Sequence, residues 1–238
     1  MFRYLVSALL YCSSLSLFQA ALGPSSSEVA GWWTRATTNF GAASDYVATR
    51  TVLRIEELDK DGRVTSTEQG ETRIEFKGTE RIVVVVKAEK NGKDASDEWR
   101  KRYGKPSSSN SDGDSSRGGP PGGFDATPFD PKYTKDLIRG EARAGSAGIL
   151  IPYSISTSGG DIEGTVNFSS SGTPVEATQT WVKPRMFVSS MSSSIRYTQV
   201  EDALVISGMN IEGEASILFI KYRFRMSFDF FDWQHVSQ

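Results

Sequence analysis

From Ala215 to Phe231 the chain reads ASILFIKYRFRMSFDFF, and from Leu218 every second position is large and apolar: Leu218, Ile220, Tyr222, Phe224, Met226, Phe228 and Phe230. The interleaved positions open apolar with Ile217 and Phe219, then turn polar through Lys221, Arg223, Arg225, Ser227 and Asp229. Successive side chains on a strand point to opposite faces, so the run carries one apolar face and one charged face. At about 3.3 Å per residue it would extend roughly 50 Å if straight. That is long for a flat sheet. The pattern predicts a curved or bulged strand with several neighbours, in a strongly bent antiparallel sheet or barrel.

The rest of the chain fits such a sheet. Ser25-Ser26-Ser27-Glu28 offers N-cap chemistry, and Val29, Trp32, Trp33, Ala36 and Phe40 follow at helical spacing, with Gly and Ser at 41–44 to end the helix. A strand is expected from Asp45, a turn at Asp59-Lys60-Asp61-Gly62-Arg63, and a returning strand from Val64 to Phe76. Asp59 and Asp61 resemble the start of a calcium loop, but Glu68 does not stand at the required spacing, so the segment reads as a turn. Arg81-Ile82-Val83-Val84-Val85-Val86 is apolar on both faces, which suits a strand covered by sheet on one side and helix on the other. Asn91-Gly92 is another turn, and residues 94–105 read as a short helix with Ser96 as its N-cap. Its basic residues Arg100, Lys101 and Arg102 beside Trp99 and Tyr103 read as a solvated last turn.

Residues 106–123 are Ser, Gly, Pro and Asp with scarcely an apolar side chain; such a segment cannot offset its ordering entropy and is expected to be a disordered insertion. After Pro128-Phe129-Asp130-Pro131 come strand-sized runs at 135–143, 146–157, 161–169, 174–182, 185–199 and 203–212. Turns are expected at Gly159-Gly160, Ser171-Gly172 and Gly213, which makes an antiparallel meander.

The ends and the composition narrow the class. Arg3 is the only charge before Leu22, and Tyr4 to Leu22 is apolar or small, the pattern of a secretory signal peptide over residues 1–23; an uncleaved membrane anchor is the alternative. Cys12 follows Tyr11 rather than a small residue, so lipidation is not expected, and the remainder, 24–238, has no cysteine for a disulfide. A net charge of -2 over 238 residues gives no footprint for nucleic acid.

Catalytic chemistry is not expected, and neither is a cofactor. His235, the only histidine, stands near the end of the chain, which leaves no constellation for a Ser/His/Asp relay or a metal site. The glycines at 118–123 lie in low-complexity sequence, not between a strand and a helix as a phosphate loop requires.

The exported N-terminus with its helix, the run TVLRIEELDKDGRVTSTEQGETRIEF, then RIVVVVKAEKNGK, a charged helix, PFDPKY and the closing SILFIKYRFRMSFDFF resemble the LolA/LolB-like periplasmic lipoprotein-carrier superfamily over most of the mature chain. The resemblance implies a mainly β fold: a highly curved antiparallel sheet, or incomplete β-barrel, with helices covering the concave face of a single domain. It implies a hydrophobic cavity for acyl chains of a lipid or lipoprotein, in the periplasm of a Gram-negative-type bacterium. The apolar wall expected for that cavity is Leu218, Ile220, Tyr222, Phe224, Met226 and Phe228, with Trp32, Trp33 and Trp99 as covering residues.

The expected function is a non-enzymatic binding or carrier protein with peripheral membrane association, its partners a lipid, an acylated protein or an envelope protein. Two alternatives remain at this stage. One is a small outer-membrane β-barrel; the other is an interaction or sensor module whose apolar faces form a filled core. A charge at Phe224 is expected to disrupt folding or uptake, and Arg223→Gln to be mild.

Overall fold

The computed structural model describes residues 24–78, 80–104, 127–157, 160–182, 188–217 and 220–236. The expected signal peptide, the 106–123 insertion and Leu218 lie outside them. Helix α1 (Ser26–Ala42) opens with a capping box: Ser25 Oγ accepts from the Glu28 amide at 3.3 Å, and the Ser25 amide donates to Glu28 Oε2 at 2.8 Å. Helix α2 is Ser96–Tyr103. The strands are β1 (Tyr46–Leu58), β2 (Val64–Lys77), β3 (Glu80–Lys90), β4 (Lys93–Asp94), β5 (Leu137–Arg139), β6 (Arg143–Ala144), β7 (Ile149–Thr157), β8 (Gly160–Phe168), β9 (Pro174–Trp181), β10 (Val188–Val200), β11 (Ala203–Ile217) and β12 (Ile220–His235).

These strands form one antiparallel sheet in the order β4-β3-β2-β1-β12-β11-β10-β9-β8-β7-β5, with β6 also on β7. The sheet is curved and does not close, so the expected mainly β half-barrel is what the chain adopts. Its registry draws a continuous line of paired residues across the inner face: Ala88, Gly70, Leu53, Phe228, Met209, Ile195, Ala177, Val166 and Ile151. Most of that line is buried, because strand alternation puts small or apolar residues at these positions and polar ones at their neighbours.

Both helices pack on this inner face. Helix α1 buries Val29, Trp33, Ala36 and Phe40 at 3–4 residue spacing. Trp33 meets Phe129, Tyr153 and Phe168 at ring separations of 5.2, 6.2 and 5.8 Å. Helix α2 contributes Trp99, which packs with Val85 and Ala88 in a smaller cluster that touches the main core through Leu53.

Four details differ from the sequence-based expectations. The long run from Ala215 is two strands, because β11 ends at Ile217 and β12 begins at Ile220, its paired partner. Gly213 is accordingly not a turn; it lies within β11 opposite Phe224. The Val-rich strand β3 is not covered on both faces: beyond the two-residue β4 it is the sheet edge, and Val86 is 43% exposed. A bulge explains its apolar pattern, since Thr72 pairs with Val85 and Glu71 with Lys87, leaving Val86 as the extra residue. Finally, Ala95 rather than Ser96 caps α2; the Ser96 hydroxyl is buried and donates to Asp94 at 2.6 Å.

Candidate functional site

Burial along the apolar face of β12 falls steadily from one end to the other. Phe230 and Phe228 are 6% and 5% exposed, Met226 and Phe224 are half-buried, and Tyr222 is 48% exposed. The cause is the placement of the helices. Helix α1 lies toward the end of the sheet that holds the β8–β9 and β10–β11 turns. There Trp32 stacks on Phe168 and over Gly172, and Ala42 and Ala43 pack at Tyr46 and Val205. Gly172, at φ +77, admits the Trp32 ring where a Cβ would stand 2.4 Å from it.

Helix α2 occupies the opposite flank. Its Trp99 ring fills the space over Gly70, where a Cβ would lie 2.4 Å from the indole. The indole N–H donates to Glu68, which also accepts from Arg102 at 2.8 Å. Between these two covers, at the end of the sheet bearing the β1–β2 hairpin, the inner face presents Ile55, Met226, Phe224 and Tyr222. Ile55 and Met226 are paired neighbours on β1 and β12. The Phe224 ring lies across Gly213, within 2.7 Å of where a Cβ would stand.

The structure therefore sorts the residues expected to line a cavity. Tyr222, Phe224 and Met226 share an incompletely covered patch. Phe228, Trp33 and Trp99, at 5%, 4% and 1% exposure, are packed by protein. Trp32 is half-buried near the far end. Ile220 lies on β12 opposite Ile217. Trp33 and Trp99 belong to separate clusters and do not converge on one space.

The inner face also holds buried polar groups that pattern reading missed. Tyr153 donates to Gln179 Oε1 at 2.8 Å, and Tyr197 shares a hydrogen bond with Thr127. Burial holds both phenols well above the ordinary tyrosine range, so they serve as neutral hydrogen-bonding groups. Ser193 Oγ is buried with no hydrogen-bond partner.

The outer face is charged. Arg225 reaches Glu56 at 3.2 Å and Glu212 at 3.3 Å, Arg54 reaches Glu56 at 2.6 Å, and Arg223 reaches Glu214 at 2.8 Å. A lipid-spanning barrel presents an apolar band there instead. Among the described residues no group of three or more His, Cys, Asp or Glu is placed to hold a metal ion, and no helix is long and apolar enough to cross a membrane.

Comparison with known proteins adds little. No protein-family profile and no curated protein matches the chain. Two solved structures overlap with it weakly. One is the Pseudomonas aeruginosa MucA/MucB complex, at 8% identity and a TM-score of 0.22, over 89% of this chain and 100% of that one. The other is MucB in complex with MucA(peri), at 7% identity and a TM-score of 0.21, with the same coverage. Overlap at this level carries no argument about what the chain binds; the fold rests on its own strand pairing.

Proposed function

We propose that the chain is an exported, non-enzymatic protein of the cell envelope that holds the acyl chain of a lipid or acylated protein against the patch formed by Ile55, Tyr222, Phe224 and Met226. The observation that carries this reading is the apolar face of β12 outrunning its helical cover, from Phe228 at 5% exposure to Tyr222 at 48%. Each buried methylene contributes about 0.8 kcal/mol, so about six would supply roughly 5 kcal/mol before the costs of association. The signal-like N-terminus supports export, and the charged outer face supports a peripheral rather than membrane-spanning protein.

A fluorescent fatty acid titrated against the exported protein tests the proposal. Saturable binding is expected, weakened at least tenfold by Phe224→Asp and unchanged by Arg223→Gln, with circular dichroism confirming that both variants fold. No saturable binding, or equal binding by both variants, would overturn it. A second reading is a protein-interaction module with a filled core, favoured by the close packing of Trp33, Trp99 and Phe228. On that reading the same patch takes an apolar protein segment.

A further inference from the structure

We propose that the opposite, outer face of the sheet is a carbohydrate-binding trough. Across β8–β11 this face is floored by short hydroxyl and amide side chains, Thr165, Thr178, Thr180, Ser192, Ser194 and Asn210, with Arg225 of β12 at its side. The registry sets them in two neighbouring rows. Thr165, Thr178, Ser194 and Asn210 are successive partners in one, and Thr180 and Ser192 are partners in the other, flanked by Glu163 and Glu212. Longer charged side chains rise beside the short ones, leaving a depression of about 620 Å³. A second depression of about 460 Å³ shares Thr180, Ser192 and Glu212 with the first and extends it toward Arg223 and Glu214. Both volumes fall in the range of ligand sites, about 300–1,000 Å³.

The chemistry selects the ligand class. Strands β8 to β12 are paired on both sides, so their backbones are engaged in the sheet and recognition falls to side chains. Hydroxyls both donate and accept, which matches the hydroxyls of a sugar, while Arg223 and Arg225 are paired with Glu214 and Glu212 and frame the trough. The side chains of Thr165, Thr178, Thr180, Ser192 and Asn210 have no hydrogen-bond partner among the described residues. Glu163, Glu212 and Glu214 against Arg223 and Arg225 leave a balance of 2 − 3 = −1, which favours neither a polyanion nor a polycation. The lining mixes hydroxyl groups with apolar carbon, to which Leu58 and Met191 add in the second depression, and a sugar ring presents the same mixture of hydroxyls and C–H faces. Five strands at about 4.8 Å spacing span roughly 19 Å, room for several linked sugars. Solvated hydrogen bonds are individually weak, so the affinity expected is in the high micromolar to millimolar range.

Amide-resolved NMR titration of the exported chain with chitohexaose, cellohexaose and maltohexaose tests this. At least one is expected to give saturable shifts confined to β8–β12, lowered at least tenfold in affinity by Thr180→Lys. Asn210→Ala is the gentler variant should Thr180→Lys disturb folding, with a severalfold loss expected. Fatty-acid binding is expected to be unchanged in both, which separates this site from the inner patch. The three sugars also separate glycan types: response to chitohexaose alone points to N-acetylated amino-sugar glycans, and response to cellohexaose or maltohexaose to glucans. No saturable shift with any of the three, or shifts indifferent to both substitutions, would overturn the proposal.

Discussion

The two wings of the sheet are held by different means. From β7 to β11 the inner face is packed with Ile151, Ile162, Val166, Phe168, Ile195 and Met209, all at 0% exposure, beneath a seventeen-residue helix with four buried anchors. From β1 to β3 the corresponding inner positions include Glu68, Gly70 and Thr72, and the buried cluster is Val85, Ala88 and one indole from an eight-residue helix. The first wing is the stability of the domain. The second is a local closure that can open at a lower cost, because few apolar contacts hold it. The incompletely covered patch lies at the boundary between the two, where a ligand would compete with the weaker cover.

The contrast is most easily broken at its strong side. Trp33→Ala removes a ring that contacts three aromatic partners. It is expected to cost about 3–5 kcal/mol and to lower Tm by about 10 °C, read by urea and thermal unfolding. An equal loss from Phe224→Ala would erase the burial gradient on β12; about half that loss is expected there.

On the weak side, Gly70→Val places a methyl-bearing side chain where the Trp99 ring sits. Hydrogen exchange is expected to quicken in residues 96–103 and in β3 while α1 stays protected. Uniform loss of protection would mean that the wings are one cooperative unit.

A smaller effect concerns the join between β1 and the β10–β11 hairpin. The Tyr46 hydroxyl donates to Glu201 at 2.7 Å; that bond and burial raise the phenol to about 12 from its ordinary value of 10.0. The folded state thus holds this proton more tightly than the unfolded state. The contribution to stability is whole below pH 10 and is lost as pH rises to about 12. Glu201→Gln is expected to bring tyrosinate absorbance forward and to flatten that pH dependence. Smallest of all, Arg223→Gln on the exposed face is expected to shift stability by less than about 1 kcal/mol.

The meander was legible because strand-sized runs are punctuated by turn residues, as at Gly160 and Ser171-Gly172. Its exact joints were not. Ile217 of β11 pairs with Ile220 of β12, and the sequence from 217 to 220 is wholly apolar, so composition offers no turn signal there. Gly213 carries a turn signal by composition, yet its small size is required by the Phe224 ring lying over it. Gly70 is similar: nothing local announces that it is the seat of an indole from a residue far along the chain. The apolar strip of β12 was legible from its period, but how far the helices reach along it depends on tertiary packing. The outer trough was hidden for another reason. Serines and threonines on a strand read as a solvated face until registry brings those of three neighbouring strands side by side.

The most direct measurement is native mass spectrometry of the exported, detergent-free protein, with organic extraction of what it carries. The account predicts phospholipid or acylated peptide at near-stoichiometric amounts, lost in Phe224→Asp and kept in Arg223→Gln. A ligand-free protein that also refuses added fatty acid would contradict it and leave the patch to a protein partner.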